Sequence, residues 1–146
     1  MRKTNKNKSL IQSVPIDSIY PDPANVRLHP EKNIQIIKAS LQRFGQQKPV
    51  VVDQKGIIRA GNGTYAAAKA LGWTHIDVVY TQLTGPDAAA YAIADNRSAE
   101  LAEWDVGALM QQFATLEPVL QQAAGFTPDE IKKLAAKIQE PPTALD

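Results

Sequence analysis

The sequence contains no cysteine. Disulfides, thiolate metal sites and cysteine nucleophiles are therefore excluded. No apolar run approaches the ~20 residues that a membrane-spanning helix needs. There is no secretory pattern either, so a reducing cytoplasm is the expected setting. A strong charge of one sign is also lacking: 16 basic and 15 acidic residues leave a net charge of +1. A dedicated nucleic-acid surface is usually strongly basic, so specific groove reading is not expected. Histidine is scarce. His29 and His75 are far apart and have no ligand-spaced neighbours, so no metal site is predicted. His29 reads as a helix-cap residue and His75 as a surface loop residue.

The chain has 146 residues, with 44% hydrophobic and 21% charged. That is ordinary for one globular domain, and long enough to bury a core without staples. The charge is uneven. Arg2, Lys3, Lys6 and Lys8 crowd the first eight residues, so 1–12 is expected to be a disordered basic arm. Such an arm can touch DNA phosphates weakly, without reading sequence.

Val14-Pro15-Ile16 starts the ordered chain, and Pro21 to Asn25 reads as a loop. Ile34, Ile37, Leu41 and Phe44 form one apolar stripe of a helix that has Pro30 near its first turn and Gly45 as its stop. Residues 49–60 read as a β-hairpin around Asp53-Gln54-Lys55-Gly56. Tyr65 to Leu71 is helical, Gly72 ends it, and Ile76 to Tyr80 is a further strand. Thr84-Gly85-Pro86-Asp87 starts a helix that runs to around Leu101. Asp105 caps a helix through Leu116, and Thr127-Pro128-Asp129-Glu130 starts the last helix, to Ile138. Pro141-Pro142 ends order. Trp73 and Trp104 are expected in the core or at its edge. The predicted class is α+β, a small mixed β-sheet with packed helices followed by a helical C-terminal tail. The predicted division is 1–12 arm, 13–104 domain, 105–138 helical extension and 139–146 disordered tail.

The informative stretch is Ile58-Arg59-Ala60-Gly61-Asn62-Gly63-Thr64-Tyr65, a strand that turns directly into a helix. The first N–H groups of a helix lack intrahelical partners and lie at the positive end of its dipole, which makes such a turn a seat for phosphate. The plainer reading is a tight turn in which Asn62 or Thr64 caps the helix. Two other polar patterns stand out: Asn25-Val26-Arg27 in the proline-rich loop, and Ala94-Asp95-Asn96-Arg97 inside an otherwise apolar helix. The second is costly on a core face unless partnered, and otherwise reads as a solvated face or an internal ion pair. Glu100, Glu103 and Asp105 can hold Mg²⁺ or form a solvated helix end.

In order, these pieces resemble the ParB/sulfiredoxin superfamily over roughly residues 13–105. The series runs through Val14-Pro15-Ile16-Asp17-Ser18-Ile19, Asn25-Val26-Arg27, Ser40-Leu41-Gln42-Arg43-Phe44-Gly45 and Lys48-Pro49-Val50-Val51-Val52. It continues through Ala60-Gly61-Asn62-Gly63-Thr64, Ala67-Ala68-Lys69-Ala70-Leu71-Gly72 and Ala94-Asp95-Asn96-Arg97. It looks most like the short ParB-like proteins of phages and mobile elements, often encoded near DNA methyltransferases. The resemblance implies a nucleotide site, with CTP or another nucleotide and Mg²⁺ as cofactors. By position, Gly61, Asn62, Gly63 and Thr64 form the phosphate turn, Arg27 a phosphate clamp, and Asn96 and Arg97 the contribution of a helix.

The departures are specific. Gly63 and Thr64 stand where that family has the two arginines of a Gly-Glu-Arg-Arg turn, and Asp95 stands where it usually has glutamate. Asn62 occupies the place of the sulfiredoxin cysteine, so sulfiredoxin chemistry is excluded. The expected function is a nucleotide- or phosphate-binding module in phage or plasmid DNA metabolism, accessory or regulatory. The alternatives are a ParB-like nuclease or NTPase using Asp95, Glu100 and Glu103, and a nucleotide-dead scaffold. The scaffold would dock a DNA methyltransferase, terminase or other phage protein on 105–138. Oligomerisation is open. The helices predicted at 105–116 and 127–138 are about ten residues apart, whereas a helix-turn-helix uses three or four.

Overall fold

Val50 and Val52, Ile76 and Val78, and Ile58 are among the largest fully buried side chains. The two pairs are spaced by two, the period that turns one face of a strand toward a core. In the computed structural model, which describes residues 10–25 and 27–139, these residues lie on strands β2 (Val50–Val52), β3 (Ile58–Ala60) and β4 (His75–Tyr80). With β1 (Gln12–Pro15) they form one sheet in the order β1-β4-β2-β3. β4 is antiparallel to β1 and parallel to β2, and β2 and β3 close the antiparallel hairpin. The sheet is thus mixed, and the class is α+β as the patterning predicts.

Helix α1 (Glu31–Phe44) lies against α2 (Asn62–Ala70), and both pack on the sheet. Leu41 is buried and Ile34 and Ile37 are partly buried, as the stripe requires, while Phe44 is exposed at its end. Helix α3 (Gly85–Leu101) touches β3 and buries only Ala88. Packing divides the chain into Met1–Leu101 and Ala102–Asp146. Within the second unit, which also holds α5 (Pro118–Ala123), α4 (Val106–Phe113) packs against α6 (Pro128–Gln139) and buries its last residue, Phe113. Phe126 meets Phe113 and Trp104 edge-on, with ring centroids 5.1 and 5.6 Å away. Trp104 is otherwise exposed. Thr127 and Glu130 form a reciprocal capping box at α6, and Asp105 caps α4.

Some boundaries differ from the sequence reading. β1 begins at Gln12, inside the stretch assigned to the arm, because Gln12 and Ser13 find ladder partners in Val78 and Asp77. Residues 1–9, with the four basic side chains, and Pro141-Pro142 lie outside the described residues. α4 ends at Phe113 rather than Leu116. The interval read as a connection holds α5, started by Pro118 at its N-terminus. The Gln121 amide donates to the carbonyls of Phe113 and Leu116, so it satisfies the end of α4. Among the described residues, no helix is long and apolar enough to cross a membrane.

One buried charge organises the hairpin. Asp53 is 4% exposed. Its Oδ1 accepts from the N–H groups of Lys55 and Ile57, and its Oδ2 accepts from Arg59 Nε at 3.0 Å. Burial works to raise this carboxyl, but those N–H groups and the guanidinium outweigh it, and the group ionises below its ordinary value. A depressed folded value contributes stability above the unfolded carboxylate value, which is lost as pH falls through the folded one. Asp53→Asn should therefore lower the unfolding free energy by about 2–3 kcal/mol in urea at neutral pH. The difference from the parent protein should shrink below about pH 4. Equal stability at neutral pH would contradict this account of the hairpin.

Candidate functional site

β3 passes into α2 through a single residue. Gly61 has φ +104°, and a Cβ there would lie 3.0 and 3.2 Å from the two methyl groups of Val50. Both the left-handed backbone and the close approach require glycine. The first intrahelical bond runs from the Tyr65 N–H to the Gly61 carbonyl at 2.9 Å. Asn62, Gly63 and Thr64 are therefore the first turn of the helix rather than a turn before it, and their N–H groups have no carbonyl within the helix to reach.

These residues line an open cavity of about 180 Å³. Asn25, Arg27 and His29 reach it from the loop before α1, Arg59 from β3, and Asp95 and Asn96 from α3. The loop is moored at Asp22. The Asp22 carboxylate accepts from Arg59 Nη1 at 3.1 Å, and its N–H donates to Asn62 Oδ1 at 3.2 Å. Asn25 then clasps the next turn: its Oδ1 accepts from the Arg27 N–H, and its Nδ2 donates to the Arg27 carbonyl. The loop thus holds Arg27 beside the start of α2.

The three arginines differ in their pairing. Arg59 lies between Asp22 and Asp53, at 3.1 and 3.0 Å. Arg97 pairs with Glu100 at 3.0 Å on an exposed face of α3 and does not line the cavity. Among the described residues no carboxylate pairs with the Arg27 guanidinium, which is exposed at the cavity rim. The structure therefore brings Arg27, Gly61, Asn62, Gly63, Thr64 and Asn96 together and leaves Arg97 outside. Asn62 accepts from the loop, and the Asn96 amide donates to the Ala92 carbonyl at 3.0 Å.

A second cleft of about 250 Å³ adjoins the first across Gly61 and is lined by Lys48, Val51, Thr64, Tyr91 and Asp95. Burial there, and then the Asp95 charge, push the Tyr91 hydroxyl above its ordinary value. Glu100 and Asp105 are engaged by Arg97 and by the start of α4. Among the described residues no group of three His, Asp or Glu converges as a metal site.

Sequence reasoning missed Arg59, Asp22 and His29. A charged residue between Ile58 and Ala60, on a strand about to enter the core, demands a partner. That signal was available for Arg59, but its two partners stand 37 and 6 residues away.

The ParB N-terminal domain family matches residues 1–97. A ParB-like nuclease domain-containing protein of Escherichia coli (strain K12), YnaK, is 32% identical over 65 residues, covering 44% of this chain and 75% of that protein. A nucleoid occlusion protein of Lysinibacillus sphaericus (strain C3-41) is 27% identical over 116 residues, 75% of this chain and 39% of its own length. The chain thus spans about two fifths of that second relative. Among solved structures, the C-terminally truncated chromosome-partitioning protein ParB from Caulobacter crescentus, complexed with CTP-gamma-S, superposes with a TM-score of 0.72. It is 18% identical and covers 90% of this chain and 80% of that one. A Pnob8-like ParB-N domain superposes at 0.53, with 16% identity over 90% of this chain and 49% of that one. At these identities the structural likeness shows the fold.

The mooring at Asp22 has a measurable consequence. Asp22→Ala removes both a charge-assisted hydrogen bond to Arg59 and the acceptor of the Ala24 N–H, which should speed amide exchange at Ala24, Asn25 and Arg27 by about tenfold. Exchange at Val52 and Val78, deep in the sheet, should be unchanged. Equal acceleration at all five amides would show that Asp22 stabilises the whole unit rather than the loop.

Proposed function

The chain belongs to the ParB N-terminal domain family, and from that premise we propose that it binds a nucleotide at the start of α2, with CTP the first candidate. The observation that carries this reading is the meeting of Arg27 with Gly61 to Thr64, from segments more than 30 residues apart, at one cavity. Arg27 is the cation there without a carboxylate partner among the described residues. A guanidinium beside unpaired helix N–H groups suits phosphate oxygens. Asn96 is the polar contribution of α3. The CTP-gamma-S in the Caulobacter crescentus neighbour supports CTP as the ligand. Mg²⁺ would accompany the phosphates and offset part of their charge.

The role that follows is an accessory or regulatory one in phage or plasmid DNA metabolism, in the cytoplasm. Its kinship with chromosome-partitioning and nucleoid occlusion proteins supports the DNA setting. DNA contact through the phosphate backbone, assembly with further copies, and docking of a DNA methyltransferase are the partner readings that go with it.

Calorimetric titration with CTP and Mg²⁺ tests the site. Arg27→Ala should weaken binding by about 10- to 100-fold, the worth of one charge-assisted hydrogen bond or two. Arg97→Ala removes only an exposed ion pair and should change affinity by less than about threefold. Absence of binding by any nucleoside triphosphate, or equal losses in the two variants, would contradict the site as drawn.

A further inference from the structure

Gly63 lies in the first turn of α2, and its backbone φ is not one that demands glycine. Its need for glycine is one of space. A Cβ there would lie 2.8 Å from His29 Cε1, 2.9 Å from His29 Nδ1 and 2.9 Å from Ile37 Cδ1. The imidazole edge thus rests directly on the backbone of the helix's first turn.

His29 is also oriented. Its Nδ1 is 2.7 Å from Asn33 Oδ1, one turn further along. An amide oxygen only accepts, so the Nδ1–H tautomer is the one that matches this contact. Nε2 has no hydrogen-bond partner among the described residues. The ring is half-buried and lines the same cavity as Arg27 and Thr64. With Nδ1 already a donor, a proton taken up at Nε2 makes the ring a cation with a second donor free.

Taking the nucleotide reading above as its basis, we infer that His29 is a phosphate ligand that works in its protonated form and makes nucleotide affinity fall as pH rises. A protonated imidazole beside the open end of α2 adds a charge-assisted donor to a bound phosphate, and a neutral one does not. The charged groups facing it are Arg27 from its own loop, Arg59 from β3 and Asp95 from α3. Glu31 and Lys32 follow it in sequence at the start of α1. Arg59 is already held by two carboxylates, which leaves Arg27 and Asp95 as the other charged side chains at the ring's cavity.

The test compares His29→Gln with the parent protein by CTP titration at pH 6 and pH 8. Taking the ratio of affinities at each pH cancels the ionisation of the nucleotide itself. The parent should bind about tenfold tighter than His29→Gln at pH 6, and about equally at pH 8. A ratio that does not change with pH overturns the inference. A second readout needs no variant. The chain has two histidines, and His75, on β4, is outside the cavity, so it serves as an internal reference. On addition of CTP at pH 7, the His29 ring resonances should move toward the protonated form while those of His75 stay. If the Gly61, Gly63 and Thr64 amides respond to CTP but the His29 ring does not, the role of His29 falls and the nucleotide site stands. If none of them responds, the nucleotide reading falls and takes this inference with it.

Discussion

A single guanidinium ties together the parts of this molecule that meet at the cavity. Arg59 comes from the last strand before α2 and is gripped from one side by Asp53, at the hairpin turn, and from the other by Asp22, in the proline-rich loop. An arginine entering a core is costly to desolvate, and two carboxylates with their own backbone donors offset that cost. The arrangement fixes position more than it adds stability. It holds the loop that carries Arg27 and His29 against the strand that leads into the helix. The N–H of Asp22 and the side chain of Asn62 close the same joint from the helix side.

This joint also settles the electrostatics of the cavity. Because Arg59 is matched by two acids, it brings no net positive field to the open space. What remains to attract an anion is Arg27, which has no carboxylate partner among the described residues, and the N-terminal dipole of α2, with His29 beside them at the same cavity. Asp95 opposes them from α3, where it borders both adjoining clefts. Attraction at this site is modest and local, consistent with a chain whose formal charge is only +1.

The sheet and its helices were legible because their signals are local. The β-branched runs of the strands, the stripe of α1, and the caps at Asp105 and Thr127 each act within a few residues. The Gly61 turn was legible for the same reason, although its tight fit against Val50 was not. The short helix α5 escaped notice because six residues are too few to show a helical period. The site was half legible. Arg27 and Asn96 stood out as polar patterns and Gly61 to Thr64 as a glycine-flanked turn, and the structure places all of them at one cavity. Arg97 lies one residue further along the same helix, about 100° around its axis, where it pairs with Glu100 on an exposed face instead of lining the cavity. The role of Arg59 depended on partners distant in sequence, and that of His29 on a missing side chain at Gly63. Neither leaves a periodic trace.

The proposed role of the cavity depends on phosphate lying where α2 begins. A crystal structure of the chain grown with CTP and Mg²⁺ tests this most directly. The triphosphate should lie within hydrogen-bonding distance of the Gly63 and Thr64 N–H groups, with the Arg27 guanidinium turned onto it. A nucleotide bound elsewhere, or one at this cavity with Arg27 turned away to solvent, would contradict it.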